Sequence, residues 1–279
     1  MKEKRTLLQS IKKDFLKGLR RIYWYTFTKI NYYYLTTLFG FKKKKINSYK
    51  ITLVCPTRER INKFKRMVES LMKTVNDPKN IELLILLDSD DPELDSYKIE
   101  SETINKKGLA TKLYIIDLDS NSKRINYLAN KSVGDIIFAI NDDISFLSKD
   151  WDHYINKEFS KINIDKPFCL WITSGVKYNY LHCDFPIINR SWYETLGYHS
   201  SEYFAHWYLD AWICDLCFRS KKFLVTDLIK IHQFSANKYK DEIDNTHLKN
   251  IGMQKTNNDH KTWVQTKNIR ISESNKLTQ

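Results

Sequence analysis

From Lys50 onward, apolar and polar positions form blocks whose period switches between that of a strand and that of a helix. "ITLVCPT" (51–57) is a continuous apolar, β-prone run that stops at a proline, the pattern of a strand buried on both faces. Ile61, Phe64, Val68, Leu71 and Val75 then recur every three to four residues, which predicts an amphipathic helix. "IELLILLDSDD" (81–91) and "TKLYIIDLD" (111–119) predict a second and a third strand, and a helix follows over about Lys123 to Ser132. "DIIFAINDD" (135–143) predicts the fourth strand and "FCLWITSG" (168–175) the fifth. Strands and helices alternating at this spacing predict an α/β fold, a mainly parallel, Rossmann-like sheet with helices on both faces. The stretch from about Ala236 to the end (236–279) is polar and reads as an irregular extension.

The first 47 residues break this pattern. They interleave Lys and Arg with Trp, Tyr, Phe and Leu, and no strand signal is present. Of the 279 residues, the first 50 hold fourteen Lys or Arg against Glu3 and Asp14, whereas the remainder carries 32 basic and 31 acidic groups. The net charge of +13 therefore belongs to an N-terminal arm, and the globular part has no nucleic-acid-binding charge. The segment Ile22 to Phe41 is about long enough to span a bilayer, but Lys29 near its centre would cost about 2.5–3.5 kcal/mol. The composition fits a helix lying in the membrane interface, with aromatics at headgroup depth and cations on anionic lipid. Packing of the arm on the domain's own surface is the alternative. Five cysteines, an odd number in a chain of this size, and no secretory signal place the protein in a reducing compartment. The expectation is a cytoplasmic protein, peripheral on the membrane face.

In parallel α/β sheets, ligands bind beyond the carboxyl ends of the strands. Here the strands close on "PTRER", "DSDD" and "NDD", so charge collects at the predicted binding edge. Asp142 and Asp143 either share a divalent cation, which removes their mutual repulsion, or lie in a solvated turn. Asp88 suits hydrogen bonding to a ribose or nucleobase, or is one of a cluster of turn acids. Arg58, Arg60 and Arg124 are candidates for bidentate phosphate contacts, against the surface salt bridge that is the common fate of an arginine. Asp210, at or near a helix start in "HWYLDAWICDLCFR", is a proton acceptor for an attacking hydroxyl or a first-turn helix acid; Asp215 competes, five residues on. His232 follows an apolar run and is a metal or phosphate ligand or a structural residue. Cys214 and Cys217, with His182 and Cys183, have poor zinc spacing and read as buried thiols.

Taken in order, these segments resemble a GT-A glycosyltransferase of the family 2 type. "ITLVCPTRERINKFKRMVESL" is similar to the first strand and helix of such enzymes, and "ELLILLDSDD" to the second strand with its base-contacting acid. "KRINYLANKSVGDIIFAINDD" resembles the segment with a donor-contacting arginine and the Asp-rich metal motif. "FPIINRSWYETLGY" and "HWYLDAWICDLCFRS" resemble the acceptor-side region and the helix with the catalytic acid. The resemblance covers roughly residues 50 to 235, a GT-A domain placed at 48–235. It implies that Thr57, Arg58, Asp88, Arg124 and Asp142 hold a nucleotide-diphosphate sugar donor. It further implies Mn2+ or Mg2+ at Asp143 with His232, Asp210 as general base, and Trp207 and Tyr208 on the acceptor side. The acceptor expected is a glycan or lipid-linked hydroxyl. Leu209 departs from the family, which carries an acid just before the base, and the Gln-x-x-Arg-Trp of processive members is absent.

Two other readings stay open. A nucleotidyltransferase on a related sheet would show a Gly-rich phosphate loop after the first strand, and "CPTRER" has none. A non-catalytic membrane-surface adaptor would bind neither nucleotide nor metal.

Overall fold

The computed structural model describes residues 46–173, 183–234, 243–246, 248, 252 and 258–279. The N-terminal arm expected at 1–47 lies, up to residue 45, outside the described residues. Chain order is β1 (Ile51–Pro56), α1 (Ile61–Thr74), β2 (Ile81–Leu87), α2 (Leu94–Lys106), β3 (Ala110–Ile115), α3 (Asn121–Lys131) and β4 (Ile136–Ala139). There follow β5 (Ile144–Phe146), α4 (Trp151–Phe159), β6 (Cys169–Thr173), β7 (Phe185–Asn189), α5 (Arg190–Leu196), α6 (Leu209–Ser220), β8 (Phe223–Gln233), α7 (Asp259–Gln265) and α8 (Lys267–Lys276).

The strands form one sheet in the order β3-β2-β1-β4-β7-β6-β8-β5. β1, β2, β3 and β4 are parallel to their neighbours within this group, and β6 is parallel to β8. The β4–β7, β6–β7 and β5–β8 pairs are antiparallel. Alternate residues of the central strands enter two separate cores. Leu53, Leu83 and Phe138 pack with Phe64, Tyr97 and Trp151 of α1, α2 and α4. Val54, Leu84 and Ile137 pack with Leu128 of α3, Trp212 and Ile213 of α6, and Leu277 beyond α8. Burying both faces explains why these strands are continuous apolar runs rather than alternating ones. Each fully buried Leu or Ile contributes about 1.5–3 kcal/mol, so the two layers are the main stabilising term.

The expected register of strand ends is observed. Pro56 pairs with Leu86 and Val54 with Ala139, so β1, β2 and β4 finish at one edge. β4 is shorter than the sequence pattern suggests; it ends at Ala139, and Asp142 and Asp143 occupy the turn before β5. Gly134 sets where β4 begins. A Cβ there would lie 2.7 Å from Thr52 N and Oγ1, and the Gly134 N–H donates to Thr52 Oγ1 at 3.0 Å.

The expectation of an irregular C-terminal stretch is corrected for residues 258–279, which form α7 and α8. Their polar sequence hides a few anchoring contacts. Trp212 Nε1 donates to Tyr198 Oη (2.9 Å) and to Glu273 of α8 (3.2 Å), and Tyr198 also bonds Glu273. Arg270 lies 3.6 Å over the Trp263 ring and donates to Asp215 at 2.7 Å. Asp215, which Arg219 also engages at 2.8 Å, is thus a structural acid of α6. All five cysteines are buried free thiols. Among the described residues, no helix is long and apolar enough to cross a membrane.

Candidate active site

A cleft of about 430 Å³ opens at the carboxyl edge of β1 and β4, a volume suited to a small-molecule ligand. Thr57, Arg58, Arg60, Arg124, Asp142, Asp143, Trp207, Tyr208 and Asp210 all line it. Asp88 lies just behind, tied to the wall by two of these arginines.

At one end, Asp88 accepts from Arg58 Nη1 (2.7 Å) and from Arg124 Nη2 (2.6 and 2.8 Å). Arg58 also pairs with Asp90, and Arg124 donates to the Leu118 carbonyl at 2.8 Å. Ser120 caps α3 and so places Arg124 in its first turn at the cleft. Glu59, between Arg58 and Arg60, has φ 54°, and Tyr208, before α6, has φ 67°. Such left-handed non-glycine backbone costs about 1–3 kcal/mol and clusters at functional sites. Both positions here border side chains that face the cleft.

In the middle stand the paired acids. Asp142 is 3% exposed and accepts from Thr57 Oγ1 at 2.7 Å and Arg60 Nη1 at 3.1 Å. Tyr97 Oη lies 2.9 Å from Thr57 Oγ1 and accepts from the Arg60 N–H at 3.2 Å, fixing both. Burial pushes the Asp142 carboxyl up, against the opposing pull of Arg60 and Thr57. Burial and the adjacent Asp142 push Asp143 up to about 7. Among the described residues the Asp143 carboxylate receives one hydrogen bond, from Gln233 Nε2 at 3.5 Å. Asp143, with one long hydrogen bond beside a second acid, fits a hard divalent cation, which accepts carboxylate oxygens and fills its shell with phosphate and water. No group of three or more His, Cys, Asp or Glu side chains disposed to hold a metal exists among the described residues, so the pair would be the protein's share of the shell.

The structure brings Gln233, and not His232, to this corner. His232 pairs with Ser145 along β8, while Gln233 pairs with Ile144 and lines the cleft. Adjacent strand residues point to opposite faces, so only one of the two can face Asp143. The apolar run before His232 indicated the strand but not its phase.

At the far end, Asp210 is the second residue of α6, and its Oδ1 accepts from the Ala211 N–H at 2.7 Å. Tyr208 stacks on Phe204, with ring centroids 5.3 Å apart, so it joins the core as well as the cleft wall. Arg60 is held by Asp244, whose carboxylate accepts from Nε and Nη2 at 2.8 Å each and from Lys63 Nζ at 2.5 Å. Sequence reasoning missed Tyr97, Gln233 and Asp244. The sequence did not set the phase that brings Gln233 to the cleft, and nothing local marked Asp244, which lies more than 180 residues from its partners.

No family model and no curated protein sequence matches the chain. Solved structures do. The mannosyltransferase PcManGT from Pyrobaculum calidifontis, in complex with GDP-Man and Mn2+, is similar with a TM-score of 0.54 at 12% identity, over 76% of this chain and 67% of that one. GalNAc-T7, with UDP, GalNAc and Mn2+, gives 0.52 at 13% over 66% of this chain and 43% of its own. S. aureus TarS gives 0.50 at 13% over 67% and 37%. The chain thus spans less than half the length of the latter two. At this identity the likeness establishes architecture: the chain has the GT-A fold of nucleotide-sugar glycosyltransferases.

Proposed function

We propose that the protein is a divalent-metal-dependent glycosyltransferase that moves a sugar from a nucleoside-diphosphate donor to an acceptor hydroxyl with inversion. The observation that carries this reading is the adjacent pair of buried Asp142 and half-buried Asp143, the latter with one long hydrogen bond, in a cleft shared with Arg58, Arg124 and Asp210. Neighbours of the same fold were solved with GDP-Man, UDP and Mn2+, which supports the class of donor.

Asp142 and Asp143 would hold Mn2+ or Mg2+, which when bound neutralises charge on a diphosphate. Arg58 and Arg124 line the cleft and share Asp88, so a nucleotide's phosphate oxygens and the negative charge of its leaving group would meet two guanidinium groups there. Thr57 and Tyr97 keep Asp142 in place through their linked hydroxyls. Asp210 would take the proton of the acceptor hydroxyl as its oxygen bonds to the anomeric carbon. The bond from that carbon to the phosphate oxygen breaks, and its electron pair leaves with the nucleoside diphosphate. Trp207 and Tyr208, beside Asp210, offer aromatic faces to the acceptor. The basic, aromatic arm would hold the enzyme on an anionic membrane surface, in reach of a lipid-linked or glycan acceptor.

Incubation with a panel of UDP- and GDP-sugars and Mn2+, followed by mass spectrometry of products, tests this. Calorimetry should detect UDP or GDP binding that weakens on chelation. A protein that binds neither nucleotide would refute the reading. Deleting residues 1–45 should leave transfer to a soluble acceptor intact and remove co-sedimentation with phosphatidylserine vesicles.

A further inference from the structure

Asn126, on α3 two residues beyond Arg124, organises the chain that follows α5. Its Oδ1 accepts from the backbone N–H of His199 at 3.0 Å and of Ser200 at 2.8 Å. Its Nδ2 donates to the Ser200 carbonyl at 2.8 Å. This clamp seats His199 in the cleft wall, 1% exposed, on the segment that leads to Asp210. The same segment is pinned to the start of α3, where the N–H groups of Asn121 and Ser122 donate to the Ala205 carbonyl at 2.8 and 3.3 Å.

The imidazole is half satisfied. Nδ1 lies 3.1 Å from Ser200 Oγ, whereas Nε2 has no hydrogen-bond partner among the described residues. An unpaired polar atom at this depth destabilises the fold, and native proteins keep few of them. Burial pushes the His199 pKa down to about 4, so the ring is neutral near pH 7 and offers one donor and one acceptor. A neutral imidazole is a poor partner for a diphosphate, which the arginines and the acid pair already suit. It is a good partner for a hydroxyl, which both donates and accepts.

We propose that His199 Nε2 hydrogen-bonds a hydroxyl of the transferred sugar, and that this contact selects the donor. The inference rests on the glycosyltransferase reading above and adds a recognition residue to it. The orphaned nitrogen is then the protein's half of a bond that the sugar completes. Asn126 is a positioning residue, since it fixes the backbone on both sides of the peptide that joins His199 to Ser200.

The test compares wild type, His199→Phe and His199→Gln by calorimetry with MnCl2. The probes are UDP, GDP and a panel of UDP- and GDP-linked hexoses and N-acetylhexosamines. In His199→Phe, affinity for the preferred nucleotide sugar is expected to fall about tenfold, the loss of one hydrogen bond, with affinity for the bare nucleoside diphosphate unchanged. His199→Gln, which keeps a hydrogen-bonding tip, is expected to recover part of the loss. His199→Phe also gives up the Nδ1 contact with the buried Ser200 Oγ, so its melting temperature is expected to fall modestly, and the sugar selectivity decides the assignment. Equal weakening of nucleotide and nucleotide sugar, or of neither, would overturn the assignment. A fall in melting temperature with unchanged sugar selectivity would mark His199 as structural and would also overturn it. Failure of the wild type to bind any nucleoside diphosphate would sink the parent reading as well, and is distinguished by that missing signal.

Discussion

Two carboxylates withdrawn from water, Glu82 and Asp143, lie at opposite edges of the same sheet. Glu82, near the start of β2, is 2% exposed and accepts from Thr52 Oγ1 (2.9 Å), Lys112 Nζ (3.0 Å) and the Val133 N–H (3.3 Å). Burial pushes its carboxyl up, but Lys112, Thr52 and Val133 together hold it below the usual range. Asp143, past the end of β4, is half-buried with one long hydrogen bond, and desolvation and the adjacent Asp142 push its carboxyl up to about 7. Desolvation acts on both in the same direction, so the partners decide the outcome. At the amino edge the fold supplies donors and the acid stabilises it. At the carboxyl edge the fold gives Asp143 a single long donor, and under the proposed function a cation would supply the missing charge.

Changes at the two edges should therefore separate activity from stability. The largest effect is expected at Asp210→Asn, where turnover should fall by about 10²–10⁴ with nucleotide affinity unchanged, measured by product formation beside calorimetry. Asp143→Asn comes next. Turnover should fall at least about a hundredfold and the affinity for nucleotide should lose its Mn2+ dependence. In metal-free buffer near pH 8, however, this variant should melt higher than wild type, since it removes the repulsion between adjacent carboxylates. Lower melting would show that the pair is structural. Gly134→Ala should destabilise by about 1–3 kcal/mol, because its Cβ meets Thr52, the partner of Glu82. Glu82→Gln should cost about 2 kcal/mol in urea titration, opposite in sign to Asp143→Asn. Matching signs for these two variants would erase the distinction between the edges.

The smallest effect is in pH dependence, where the two edges oppose each other. The raised Asp143 pKa means that the folded state holds a proton that the unfolded chain releases at about 3.8. That contribution is complete below about pH 4 and is lost as pH rises to about 7. Glu82, with a lowered pKa, contributes above its unfolded value and loses the contribution as pH falls through its folded one. Urea titrations of the metal-free protein should show a decline between pH 4 and 7 that Asp143→Asn flattens.

Much of the parallel half of the sheet was legible in the sequence, because strands buried on both faces must be long apolar runs and such runs have few other readings. The gathering of Thr57, Arg58, Asp88, Asp142 and Asp143 at one edge followed from where those runs stop. The pairing of β4 with β7 and of β5 with β8 was not legible, since short strands without alternation carry little local signal. The helices of 258–279 were missed because α8 buries little apolar surface and is anchored by Arg270 and Glu273, polar residues that read as solvated. At His232 the residue type suggested chemistry, and the structure puts the neighbouring Gln233 in the cleft wall.

The sequence alone determined the period of each segment, the order of strands and helices, and the chemical types available at the strand ends. These are local properties, set by which faces a segment must bury. Only the tertiary structure decided how each acid is partnered, because partners such as Arg60 and Asp142, Asn126 and His199, or Trp212 and Glu273 are tens of residues apart and meet only once both cores have closed. Whether a carboxylate stabilises the fold or waits for a ligand depends on those meetings.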